Sequence, residues 1–414
     1  MRPLATAALL LSLAADHVGA ATFAVLNTND SGPGSLRQAI EDSNSIPGTD
    51  TITFGPAATD AILLASPLPT LTDHVSLLGP GAGVLRIDGN GAFRVLDIGP
   101  GLTVILSGLS ISNGRVFAPE TGAGINISGS GLTLIGCTFS GNVADGSGAR
   151  GGGIRNDGFV TIIDSTFSDN SALGVLSSGG AIDNNRTLRI TGSTFVANHA
   201  DSVGGAILNT NSATEVTITN STFSGNSSGS VGGALGNSGA VTISDSTFFN
   251  NSAAQNGGGV YNIEPGSAVT FKSAIIQAGS GGACFGGTVT ALGVNLSTDA
   301  TCAGFTQVTP AQLSLGPLDF NGGLTQTHAL LPGSVAVDAA SDCNDALGNP
   351  VATDQRGARR PRDGDQTGGA ACDVGAFERG PEAIPTLGYS GLLALAALFA
   401  ALGARRVSRQ RTGK

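Results

Sequence analysis

Ser165-Thr166-Phe167-Ser168-Asp169-Asn170 returns as Ser193-Thr194-Phe195-Val196-Ala197-Asn198 and again as Ser221-Thr222-Phe223-Ser224-Gly225-Asn226. Two further copies end at Asn142 and Asn251, so Phe139, Phe167, Phe195, Phe223 and Phe248 stand 28, 28, 28 and 25 residues apart. A second motif keeps the same beat: Gly152-Gly153-Ile154-Arg155-Asn156, Gly180-Ala181-Ile182-Asp183-Asn184, and its counterparts ending at Asn209, Asn237 and Asn262. A third is a short alternating strand, as in Leu132-Thr133-Leu134, Val160-Thr161-Ile162, Leu188-Arg189-Ile190, Val216-Thr217-Ile218 and Val241-Thr242-Ile243. Leucine-rich and ankyrin units have similar lengths, but these copies lack helical periodicity, and their Thr, Ser, Gly and Asn favour strands and turns. The reading is an all-β, right-handed parallel β-helix with three short strands per coil, each coil bonded to the next at about 4.8 Å.

Alternation then assigns faces. Val216 and Ile218 point inward with Phe223 and Leu235, while Thr217 and Thr219 point outward. Asn156, Asn184, Asn209, Asn237 and Asn262 share the inward parity and are placed at coil corners as a structural ladder, bonding to one another and to turn backbone. The sequons at Asn126, Asn185 and Asn220 read as part of this Asn/Thr-rich repeat rather than as glycosylation sites.

The chain has 414 residues with 64 Gly and no Trp, and charged residues make up only 12%. Hydrophobic residues at 40% supply a core, so disorder is excluded, and lysine stands only at 272 and 414. Arg2, the apolar run from Leu4 to Ala15 and the small residues up to Ala20 read as a signal peptide, residues 1–21, removed by signal peptidase. At the other end Ile384-Pro385-Thr386-Leu387 precedes the apolar stretch 388–404 and a basic cluster ending at Lys414. That stretch is expected to be a transmembrane helix of marginal length, with the basic end in the cytoplasm. Without both ends, 29 acidic and 14 basic residues remain, a balance that argues against nucleic acid and anionic lipid and leaves neutral glycans or divalent cations.

Four resemblances follow from these residues. Ile384 to Leu387 and the tail resemble the IPTL-CTERM sorting signal, which implies an exosortase-type enzyme as partner and an exported, cell-surface or outer-membrane destination with anchoring through the tail. Residues 120–262, with Gly179 to Ile182, Gly204 to Ile207 and the five Phe-x-x-Asn sites, resemble the repeats of polymorphic outer membrane proteins, which implies adhesion; there is no room for their β-barrel. Asn29 to Ile40, followed by Asp50 to Phe54, resembles the N-terminal segment of CSLREC-type surface proteins. Ser35 and Gln38 there can form a capping box on a helix that plugs the open end. Asp338 to Glu378 resembles the choice-of-anchor Q module, and its Asp338, Asp354, Arg356, Arg360, Asp373 and Glu378 are expected to form a charge network closing the last coil.

Four cysteines follow the repeats, and proximity pairs Cys284 with Cys302 and Cys343 with Cys372. Cys137 fills a serine slot of the repeat and reads as a buried thiol. The chemistry is sparse. Asp164, Asp183 and Asp245 replace Gly, Leu or Asn of other coils, His199 has no matching cluster, and no catalytic or cofactor-binding set emerges. Asp363, Asp365 and Thr367 begin like a calcium loop, but Val374 stands where the bidentate Glu belongs. The expected divisions are the leader, an N-terminal cap with first coils (22–115), regular repeats (116–283), C-terminal coils with a disulfide-bearing cap (284–379), a linker (380–387) and the tail (388–414). The expected function is adhesion through a matrix component or glycan; the alternative is a polysaccharide lyase or glycoside hydrolase of the pectin-lyase-like fold.

Overall fold

The structure, a computed structural model, describes residues 19–211 and 215–381. The signal-peptide stretch up to residue 18, the sorting residues Ile384 to Leu387 and the tail 388–414 lie outside the described residues. Among the described residues no helix is long and apolar enough to cross a membrane.

Alternating apolar and hydroxyl residues let each short strand bury one side while its backbone bonds to coils on both sides, and the result is a stack of parallel coils. In one coil the chain runs through Gly131–Ile135, Thr138–Ser140, Val143–Asp145 and Ile154–Asn156, then begins the next at Phe159–Ile163. We name the four columns sheets A, B, D and C in that order; among the described residues A and B have eleven strands, C eight and D six. The regular coils therefore carry a fourth short strand beyond the three expected, because the segment after each Phe-x-x-Asn is itself long enough to pair with its neighbours, as Val143–Asp145 pairs with Ser171–Leu173.

Register converts the repeats into columns. Phe139, Phe167, Phe195, Phe223 and Phe248 stack with ring centroids 4.7–4.8 Å apart and planes within 9°. Each such pair adds about 0.5–1.5 kcal/mol to the burial of the rings. Asn156, Asn184, Asn209, Asn237 and Asn262 donate in sequence from Nδ2 to the next Oδ1 at 2.6–3.0 Å. A second file, Asn142, Asn170, Asn198, Asn226 and Asn251, is buried too; each Nδ2 bonds a main-chain carbonyl and, up to Asn226, the next Oδ1.

The N-terminal helix, α1 (Leu36–Ser45), contributes Leu36, Ala39 and Ile40 to the core. Ser35 accepts from the Gln38 backbone at 3.2 Å, whereas the Gln38 side chain turns to Asp42 instead of completing the box. At the far end the Cys284–Cys302 disulfide lies in the same core, beside Phe305. Cys343–Cys372 ties the module that follows. Cys137 is buried and unpaired, and burial pushes its thiol up.

That module does not close the last coil, as the sequence suggested. It lies along the outer face of sheet B, where Ile275 and Leu296 join Val308, Leu313 and Leu330 of the preceding segment and the module's Val374 and Phe377 in a second small core. Those two outward apolar side chains replace the Thr and Ser of earlier coils, which is why the chain folds back here.

Candidate functional site at the seam between solenoid and cap

Hydroxyl groups on the outer face of sheet B dock the cap. Gln355 is the hub: its Oε1 accepts from Thr222 at 2.6 Å, and its Nε2 donates to Thr194 Oγ1, Thr325 Oγ1 and the Gln326 carbonyl at 2.9–3.0 Å. Thr325 donates to the Gly192 carbonyl, Ser224 bonds His328, and Ala376 N–H donates to Thr247. Burial holds the His328 ring below the usual histidine range, consistent with a neutral imidazole stacked 4.0 Å from Phe249.

Beneath the cap sits a buried charge cluster. Arg360 approaches Asp245 at 3.3 Å and Glu378 at 3.6 Å, all three side chains being fully buried. Burial pushes Asp245 and Glu378 up to about 7 and Asp373 up to about 6, against the attraction of Arg360. Asp354 is saturated: Oδ1 accepts from Arg356 N and Ala358 N, and Oδ2 accepts from the Arg356 guanidinium and Glu378 N. The expected network thus exists, and what it joins is cap to flank.

A cleft of about 330 Å³ opens along this seam, lined by Asp164, Thr191, Gly192, Asn220, Leu324 and the turn 353–357. Asp164 and Asn220 owe their place to backbone geometry. Gly108, Gly136, Asp164, Gly192, Asn220, Asp245 and Ser273 all occupy the A-to-B corner with φ between 48° and 65°, a region that Gly, Asn and Asp enter at least cost. The corner varies in chemistry, not in shape. At Gly192 a Cβ would lie 2.2 Å from Asp164 Oδ1, so the missing side chain leaves room for that carboxylate. Asp164 accepts no hydrogen bond among the described residues, and partial burial raises its carboxyl. Asn220 donates from Nδ2 to the Thr353 carbonyl, leaving Oδ1 buried without a partner. The Asp164 carboxylate beside the exposed Leu324 suits a ligand with hydroxyl donors and an apolar face.

The other residues singled out in the sequence lie elsewhere. Asp183 is buried on sheet C with Arg155 and Ser178 as partners, an ion pair inside the wall rather than a groove acid. Asp245 belongs to the cluster with Arg360. His199, on sheet D, bonds Ser227 through Nδ1 and Asp201 through Nε2, both at 2.9 Å. The grouping resembles a hydrolytic triad, but Asp201 is exposed and none of the described clefts adjoins it. Asp363 and Asp365 are joined by Asp338: one carboxylate oxygen from each lies within 4.8 Å of the others. Thr367 contributes its backbone N–H to Asp365, while Asp338 accepts from the N–H groups of Gly364, Asp365 and Ala371. Asp338 was missed as a partner because 25 residues separate it from Asp363; Asn220 was missed because it reads as one more repeat asparagine.

Residues 86–298 match the family described as right handed beta helix region, and residues 382–411 match the IPTL-CTERM motif. Among solved structures, pectate lyase Pel9A is similar at 15% identity and a TM-score of 0.45, covering 87% of this chain and 98% of that one. No curated protein matches.

Proposed function

The chain belongs to the right-handed β-helix family, and from that premise we propose that it is an exported surface protein that holds neutral glycan in the seam between its solenoid and cap. The sorting motif supports delivery to the cell surface; in this reading an exosortase-type enzyme acts on the tail and signal peptidase removes the leader. The observation that carries the binding site is the half-buried Asp164 carboxylate, which has no hydrogen-bond partner among the described residues, in a cleft large enough for about one sugar residue and lined also by Asn220. Hydrolysis by paired acids needs two available carboxyl groups. Asp354, the other acid of the cleft, has both oxygens committed to donors, so the site favours holding a sugar over cutting it.

The test is a glycan array followed by titration of the best neutral oligosaccharide with the wild-type chain and with Asp164→Asn. The expected result is binding without new reducing ends or unsaturated sugars, weakened about tenfold by the substitution, equivalent to about 1.4 kcal/mol. Product formation lost in Asp164→Asn would favour the enzymatic reading, and binding indifferent to both Asp164 and Asn220 refutes the site.

A further inference from the structure

Among the described residues sheet A ends in two edge strands with no further strand paired to them, Thr22–Val25 at the N-terminal end and Thr288–Leu292 at the other. Neither contains a charged residue or proline, the usual means by which an exposed edge is kept from pairing. The interior at each end is only partly covered among the described residues: α1 lends Leu36, Ala39 and Ile40 at one end, and Gly304 and Phe305 lie against Ala291 and Phe271 at the other, which leaves Phe23, Val289 and Ala291 half-buried while Val269 and Phe271 are fully buried.

Following the register through the sheet shows what would fit. The column of Phe271 and Ala291 begins at Phe23, and the column of Val269 and Val289 passes through Asp50, which Ala21 precedes by one coil. Set the N-terminal edge of a second copy on the C-terminal edge of the first in this register, and each inward pair joins a larger residue to a smaller one. Ala21 meets Val289, Phe23 meets Ala291 and Val25 meets Gly293. Outward, Thr22 continues the file of Thr270 and Thr290. The hydrogen-bond phase also agrees. Thr288 N–H donates inward to Ser267, so the alternation of a parallel ladder turns Val289 and Ala291 to the free edge. Likewise Thr51 N–H donates to the Ala21 carbonyl, which leaves Thr22 and Ala24 facing outward at the other end.

We propose that copies of this chain stack head to tail through the edges of sheet A, extending one parallel sheet from molecule to molecule. A heterologous contact of this kind does not close on itself and yields linear assemblies.

The test uses the full chain, exported from its host and released in mild detergent, carrying Thr22→Cys and Thr290→Cys together. The two positions lie at opposite ends of one molecule, so a short bis-maleimide joins them only between molecules. A ladder of dimers, trimers and longer species on a denaturing gel is expected. Ala291→Pro added to this pair should abolish the ladder, because the Ala291 N–H faces the free edge and its loss breaks no bond within the monomer. Phe23→Asp is a second blocking variant, with an unchanged circular dichroism spectrum as evidence of folding. Monomers alone, dimers formed equally by the single-cysteine variants, or a ladder that survives both blocking changes would overturn the proposal.

Discussion

Replacing Asn198 by alanine should destabilise the middle of the solenoid more than any surface change of equal size. Asn198 is fully buried; its Nδ2 donates to the Phe167 carbonyl and to Asn226 Oδ1, both at 2.9 Å, and its Oδ1 accepts from Asn170 N at 3.1 Å and Asn170 Nδ2 at 2.9 Å. Alanine leaves two donors unsatisfied in the core, the Asn170 amide and one N–H of the Asn170 side chain, while the Phe167 carbonyl keeps its ladder partner on Thr194–Val196 and Asn170 Nδ2 keeps the Phe139 carbonyl. At about 1–3 kcal/mol for each stranded group, the expected loss is roughly 3–5 kcal/mol. That is a large part of a domain's ordinary stability of about 5–15 kcal/mol. Because coils contact only their neighbours, the loss should be concentrated near the substitution. Hydrogen exchange reads this directly: the Asn170 amide should exchange at least about a hundredfold faster, the equivalent of about 2.8 kcal/mol. Thr217→Ala, on the outer face of sheet A, is the control and should stay within about 0.5 kcal/mol of wild type. A loss below about 1 kcal/mol for Asn198→Ala, or equal effects of the two changes, refutes the view that the second asparagine file stabilises the stack.

Three other outcomes follow from the cap and the outer wall. Reducing or deleting Cys343–Cys372, which spans 29 residues, should cost the cap about 3–4 kcal/mol by loop entropy and open it to protease while the Phe139 to Phe248 stack persists. Asp245 and Glu378 at about 7 and Asp373 at about 6 lie above their unfolded values near 4, so the folded cap binds more protons than the unfolded one. Their favourable contribution is therefore complete below about pH 4 and is lost as pH rises through 6 to 7; cap-specific proteolysis should be faster at pH 8 than at pH 5.5, and the opposite order refutes the assignment. Ser227, half-buried and bonded to His199, should remain unlabelled by a fluorophosphonate probe; stoichiometric labelling abolished by Ser227→Ala would show that the grouping is a working triad.

The repeat period, the inward and outward faces and the phenylalanine column were all legible in the chain, because a solenoid makes three-dimensional neighbours of residues one period apart. Local sequence identity therefore reports tertiary contact: Phe195 predicts Phe223 as its neighbour without any coordinates. The same logic reached both disulfides, since each closes within the non-repeating segment where its partner is the nearest cysteine.

The seam is different. Thr194, Thr222 and Gln355 meet across separations of 133 to 161 residues, and nothing in either segment names the other. A threonine facing solvent and a threonine facing the cap look identical in a repeat, and an aspartate that relieves a left-handed corner looks identical whether it ends half-buried, as a cleft acceptor at Asp164, or fully buried against Arg360 at Asp245. Sequence by itself determined the coil, its core and its ladders, because those depend on periodic short-range pairing. Only tertiary structure decided where the cap lies and which acids it leaves free, because those depend on one long-range docking event that the period does not encode.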